Sequence, residues 1–375
     1  MEQVNHVVLE PSQETLAPGQ KLLVNPLSGL VITAVITLIL YVVGSLHGLS
    51  ATSVICLALS AWLAFENGGN DVSKGIAPLV SSKIAGEKTA LVFGTVITFI
   101  GSWASLTIAK KVMSLFTSGI ISPDYQISVG MVLAIAGGAA AWVCIATRFS
   151  MPVSTTHALI GAIVAVGVFE FGVSGVLWSN IGMKVVGPLL FSPVVGLIAT
   201  FVIVSIIRFI KIPDGFSRIS TWFTCGGICF VRSVNDTPKI VAIASLATLS
   251  MGEKHSYGSI NATFLLILTS MALGSILKGL PVTKLLAKKV TKINNNGSLA
   301  SSLTSVILIA NASGWGLPVS TTHVSTGSIL GAGIQQDRKG VNWKVVRDIG
   351  LSWVITLPSA GIIGIVIIYL YNMIY

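Results

Sequence analysis

Glu66–Pro78 reads ENGGNDVSKGIAP, and it follows Ser53–Phe65, SVICLALSAWLAF, a run apolar enough to sit in lipid. The stretch holds two carboxylates, two asparagines, three glycines and a lysine. A carboxylate inside a membrane costs about 2.5–3.5 kcal/mol on insertion scales, so Asp71 needs partners. Glycine weakens a helix interior and proline removes a backbone donor, so Gly68, Gly69 and Pro78 predict a half-helix, a short unwound turn and a second half-helix. Hydrocarbon cannot satisfy the backbone groups such a break frees, and it survives only where it lines a polar cavity or binds an ion.

The same pattern occurs twice. Asn70-Asp71 returns as Asn235-Asp236 in RSVNDTPKIVA, 165 positions on. MPVSTTHALIGAIVAVG, Met151–Gly167, returns as LPVSTTHVSTGSILGAG, Leu317–Gly333, at an offset of 166, and Trp178, Pro193 and Gly196 are answered by Trp343, Pro358 and Gly361 at 165. The chain divides into a polar tail over 1–27, a leading transmembrane helix over 28–49, and two homologous repeats over 50–212 and 213–375 that form one transport unit. Duplicated halves with interrupted helices point to a secondary transporter whose site lies at the repeat interface.

Composition agrees with this. Hydrophobic residues make up 53% of the 375 and charged residues 10%, and the mean hydropathy is +0.87. Apolar runs long enough to cross about 30 Å of hydrocarbon recur near 28–48, 89–109, 128–147, 189–211, 258–277, 297–313 and 358–375. The expected fold is all-α: a polytopic membrane protein of two inverted repeats with interrupted helices and re-entrant hairpins. The net charge of +10 lies in short connecting loops rather than along one face, which reads as topology signals in a cell-membrane, multi-pass protein and not as a nucleic-acid surface. Two such loops, Arg208–Arg218 and Lys278–Lys292, are expected to face the cytoplasm. Cys56, Cys144, Cys225 and Cys229 sit in apolar segments and imply neither a disulfide framework nor a zinc site.

The two motifs suit different ions. Asn70, Asp71, Asn235 and Asp236 supply carboxylate and amide oxygens for a cation; the plainer reading is that each pair caps a half-helix. Ser154, Thr155, Thr156 and Ser320, Thr321, Thr322 place hydroxyls at helix starts, where unpaired N–H groups and the helix dipole favour an anion. Two such starts brought together can surround one tetrahedral oxyanion. His157 and His323, which follow directly, read as packing or capping residues, with proton handling as the sharper alternative.

With its repeated Asn-Asp and PVSTTH blocks, the chain resembles the inorganic phosphate transporter (PiT) family, whose hallmark is GANDVANA in both halves. The resemblance covers nearly everything after about residue 50. It implies inverted repeats, a dimer with a scaffold and a transport region, and cation-coupled uptake of phosphate by alternating access, without enzymatic activity. Carried over by position, Asn70, Asp71, Asn235 and Asp236 would hold the coupling ion, with sodium at Asp71 and Asp236, and the surroundings of the substrate. The two Ser-Thr-Thr triplets would bind the oxyanion.

The chain departs from the hallmark where the second asparagine is expected: Lys74 and Lys239 stand there, 165 positions apart. A fixed ammonium can fill the electrostatic role of sodium between carboxylate and anion, so proton-coupled or sodium-independent uptake is expected. Glu66 and Arg232 break the repeat symmetry; they can pair with each other, or Arg232 can meet the anion as a fork-shaped donor. Sulfate, another tetraoxo anion, is the rival substrate. An anion channel and an intramembrane aspartyl protease built on Asp71 and Asp236 are more distant readings.

Overall fold

A computed structural model describes residues 25–46, 48–108, 110–210, 212–249 and 257–374. Most of the polar tail therefore lies outside the described residues. Helix α1 (Pro26–Val42) starts where Asn25 Oδ1 accepts from the Leu27 N–H at 3.1 Å, with proline at a position that lacks a helical acceptor anyway. It ends well short of residue 49. The first half continues with α2 (Ala51–Ser81), α3 (Glu87–Ile108), α4 (Lys110–Ser118), α5 (Val129–Arg148), α6 (Thr155–Phe171) and α7 (Trp178–Ile210), which includes a π-helical turn at Ile181–Val186. The second half holds α8 (Asp214–Leu249), α9 (Tyr257–Lys278), α10 (Leu280–Lys284, running into a π-helical turn at Leu285–Val290), α11 (Asn295–Gly314), α12 (Thr321–Asp337) and α13 (Trp343–Ile374).

Five helices of the first half, α2, α3, α5, α6 and α7, recur in order as α8, α9, α11, α12 and α13. Starts of the last three pairs are 165 or 166 residues apart. The halves also exchange partners reciprocally: α6 packs on α13 while α12 packs on α7, and α9 packs on α2 while α8 packs on α3. Mutual exchange of this kind is the contact pattern of a two-fold arrangement.

Six described helices are long and apolar enough to cross a membrane. On α7 and α13 the large apolar side chains, among them Leu190, Phe191, Val354 and Ile362, face outward, while Ser192, Gly196, Thr200, Ser352, Thr356 and Gly361 face the interior. Large residues toward lipid and small or hydroxylated ones between helices is the packing a bilayer favours. The protein is a multi-pass, all-helical membrane protein.

The expected break at the Asn-Asp motifs is overturned. Helices α2 and α8 run unbroken through the Asn-Asp motifs, with Pro78 and Pro238 inside them. Gly68 and Gly69 serve helix approach instead: a Cβ on Gly68 would fall on the Met271 carbonyl oxygen, and one on Gly69 would stand 2.7 Å from Lys278 Cβ. On the facing helix a Cβ at Gly274 would meet the Phe65 carbonyl. The glycines let α2 and α9 touch backbone to backbone, and the burial of that contact outweighs their low helix propensity.

The interruptions lie elsewhere, in the hairpins α5–α6 and α11–α12. Each hairpin turns in the interior, with Pro152, Val153, Ser154 and their counterparts Pro318, Val319, Ser320 buried. Each leaves its first helix through a left-handed residue at the same repeat position, Ser150 (φ 58°) and Gly316 (φ 75°). Glycine adopts that conformation freely, whereas serine bears about 1–2 kcal/mol. Lys278–Lys292 is likewise not the expected loop. Lys278 ends α9 and is buried, and Val282, Leu285, Leu286 and Val290 pack into the core.

Candidate functional site

Asn70, Asp71 and Lys74 share one face of α2, and Asn235, Asp236 and Lys239 the matching face of α8, by the i, i+3 and i+4 spacing of a helix. All six are buried. Lys74 Nζ donates to Asp71 Oδ1, to Asn70 Oδ1 at 3.2 Å and to the Val153 carbonyl at 3.1 Å. Lys239 Nζ donates to Asn235 Oδ1, to Asp236 Oδ1 at 2.9 Å and to Thr156 Oγ1 at 2.7 Å. An ammonium has three hydrogens, so each lysine is fully used and neither reaches toward an interface.

The hairpin turns are held against these clusters. Asn70 donates to the Met151 carbonyl at 2.9 Å and accepts from the Val153 N–H at 3.2 Å. It also donates to Thr147 Oγ1 at 3.0 Å, as Asn235 does to Ser313 Oγ at 2.8 Å. Asn67 reaches Thr155 Oγ1 at 2.9 Å. Ser154 and Ser320 cap α6 and α12, accepting from the N–H groups of His157 and His323, each at 3.2 Å.

The two helix starts meet. Thr321 Oγ1 of α12 donates to Asp71 Oδ2 on α2 at 3.2 Å, Thr322 Oγ1 donates to the Val153 carbonyl of the other hairpin at 2.8 Å, and Lys239 of α8 reaches Thr156 of α6. One turn into each helix, the His157 and His323 rings lie 4.7 Å apart, and His323 Nδ1 is 3.0 Å from the Leu189 carbonyl. First-turn amides have no acceptor within their own helix, so α6 and α12 bring two sets of N–H groups and hydroxyls to one buried place.

Of the residues expected in the site, the structure gathers both Asn-Asp-Lys clusters and both Ser-Thr-Thr triplets. Glu66 and Arg232 do not pair. Glu66 Oε1 instead takes Lys278 Nζ at 2.6 Å and the Trp62 indole N–H at 3.0 Å, because α9 crosses α2 at the glycines just beyond it. Arg232 turns to α3, where Nη2 donates to Thr98 Oγ1 at 2.8 Å. Sequence reading missed Lys278, Thr147 and Ser313. The last two were findable, since they occupy one repeat position, 166 residues apart, just before the PVSTTH block. Lys278 carried no such signal.

The sequence profile of the phosphate transporter family matches residues 67–364. A Bacillus subtilis protein named as a probable low-affinity inorganic phosphate transporter is 29% identical over 324 residues, covering 84% of this chain and 96% of that protein. A Rhizobium meliloti protein of the same name is 27% identical over 317 residues, covering 82% and 93%. Among solved structures, one titled "The sodium-dependent phosphate transporter" superimposes with a TM-score of 0.76 at 21% identity, over 87% of this chain and all of that one. At that identity the likeness establishes the fold.

Proposed function

The chain belongs to the phosphate transporter family, and we propose that it is a secondary carrier in the cell membrane that takes up inorganic phosphate by alternating access. One observation carries the reading: hydroxyl-bearing helix starts from opposite halves converge on carboxylates already neutralised by lysine. The anion lies between the starts of α6 and α12, held by their amides and by the hydroxyls of the two Ser-Thr-Thr triplets, Thr321 and Thr322 turning to it from Asp71 and the Val153 carbonyl. The halves run in opposite directions across the bilayer and rock about this place, a motion that the reciprocal exchange of α6 and α12 favours.

Lys74 and Lys239 stand in for the coupling cation. Each ammonium occupies an oxygen of the aspartate that a sodium ion would need, so phosphate binds without sodium and a proton travels with it. Asp236 supports the choice of phosphate over sulfate. Its Oδ2 is buried with no partner among the described residues, whereas both oxygens of Asp71 are engaged. A free carboxylate oxygen accepts from a P–OH group, and sulfate has no such hydrogen to give.

Radiolabelled phosphate uptake into proteoliposomes, with sulfate as competitor and with sodium and proton gradients imposed separately, tests this. Saturable accumulation driven by an inward proton gradient in sodium-free medium, with weak inhibition by sulfate, is expected. An absolute need for a sodium gradient would overturn the role given to the lysines, and flux that never exceeds equilibrium would favour a channel.

A further inference from the structure

Arg232 is the largest fully buried side chain of the described residues, and its charge has no partner. Seven acidic or basic side chains other than histidine lie buried among them: Glu66, Asp71, Lys74, Arg232, Asp236, Lys239 and Lys278. Six form pairs, Lys74 with Asp71, Lys239 with Asp236 and Lys278 with Glu66, which leaves the guanidinium as the excess charge. Its single hydrogen bond goes to a neutral hydroxyl, Thr98 Oγ1, and Nε and Nη1 have no acceptor. A buried, unpaired cation is costly enough to need a reason.

The position of Arg232 supplies one. It lies one turn before Asp236 on α8, the aspartate whose Oδ2 also has no partner among the described residues. Both lysines have spent all their hydrogens on the protein, so neither has a donor to spare for an incoming anion. Of the buried lysine and arginine side chains, Arg232 alone has nitrogens, Nε and Nη1, that meet no acceptor among the described residues. Like Glu66, it is a charge the other half does not reproduce: Asn67 holds the position equivalent to Arg232 and is bound to Thr155.

We propose that Arg232 is the counter-charge of the transported oxyanion, its free guanidinium N–H groups being satisfied only when the substrate is bound. This rests on the reading of the site as an oxyanion carrier. The empty protein then holds an excess positive charge, and the loaded one is balanced.

Purified protein is melted with and without inorganic phosphate, and in parallel with sulfate, for the wild type, Arg232→Gln, Arg232→Lys and Thr98→Val. For Arg232→Gln the expected result is a melting temperature no lower than wild type in the absence of anion, because a strained charge has gone. The anion-induced upward shift is lost, and uptake shows a KM raised about ten- to a hundredfold. Arg232→Lys keeps part of the shift, and Thr98→Val, which leaves the charge in place, keeps it. A large fall in the anion-free melting temperature of Arg232→Gln with the shift intact would make Arg232 a structural clip between α3 and α8, and would overturn the proposal. A wild-type response to sulfate alone would sink the phosphate reading while Arg232 is still judged on the sulfate shift; a response to neither anion would overturn both.

Discussion

The clusters on α2 and α8 come from one motif, yet they are not in the same state. On α2 both oxygens of Asp71 are engaged, one by Lys74 and the other by Thr321, and Asn67 donates to Thr155. On α8, among the described residues, Asp236 receives Lys239 alone, its second oxygen is bare, and Arg232, at the position equivalent to Asn67, has N–H groups to spare. Duplication reproduced the cage, and divergence at a few positions left one side closed and the other able to react. On the proposed function, the α8 cluster is the one with groups left over for the substrate, and the α2 cluster is the one that braces the site.

That contrast can be broken by substitution. Asp71→Ala strands a buried ammonium and the Thr321 hydroxyl together, and the expected loss of stability is about 3–5 kcal/mol, larger than for Asp236→Ala. Thermal unfolding in detergent checks the order, and the reverse order would remove the distinction between bracing and reacting sides. Asp236→Asn, close in shape, is expected to fold and to lose about 1.5–3 kcal/mol of phosphate binding, a ten- to hundredfold rise in KM, with the preference over sulfate narrowed. Unchanged selectivity in competition assays would mean that the bare oxygen does not read the P–OH group.

Smaller effects sharpen the comparison. Thr147→Val and Ser313→Ala each remove a neutral hydrogen bond from an asparagine, at about 1 kcal/mol apiece, and should match, because this part of the cage is the same in both halves. Unequal melting temperatures would show the asymmetry to run deeper than the carboxylates. Least of all, Lys288→Ala at the half-exposed pair with Glu87, 2.5 Å, is expected to change stability by under about 1 kcal/mol and to leave uptake alone.

Much of this was legible in the sequence, and the misreadings have physical causes. The repeat offset located both clusters and both helix starts, since identical polar residues in an apolar chain have few other uses. It did not show that the helices stay intact. Glycine spacing reads alike whether it loosens a helix or lets a neighbour approach, and only the position of Met271 over Gly68 decides. Lys278 looked like a loop cation because the partner that buries it, Glu66, is more than two hundred residues away and on another helix. Arg232 was visible as a break in symmetry, but its lack of a counter-ion is a property of the folded interior.

The most direct test is an experimental structure of the purified protein with phosphate in sodium-free buffer. The anion is expected between the starts of α6 and α12, within hydrogen-bond distance of residues from both Ser-Thr-Thr triplets, with Lys74 and Lys239 still on their aspartates. Phosphate bound elsewhere, or seen only when sodium displaces the lysines from Asp71 and Asp236, would contradict it.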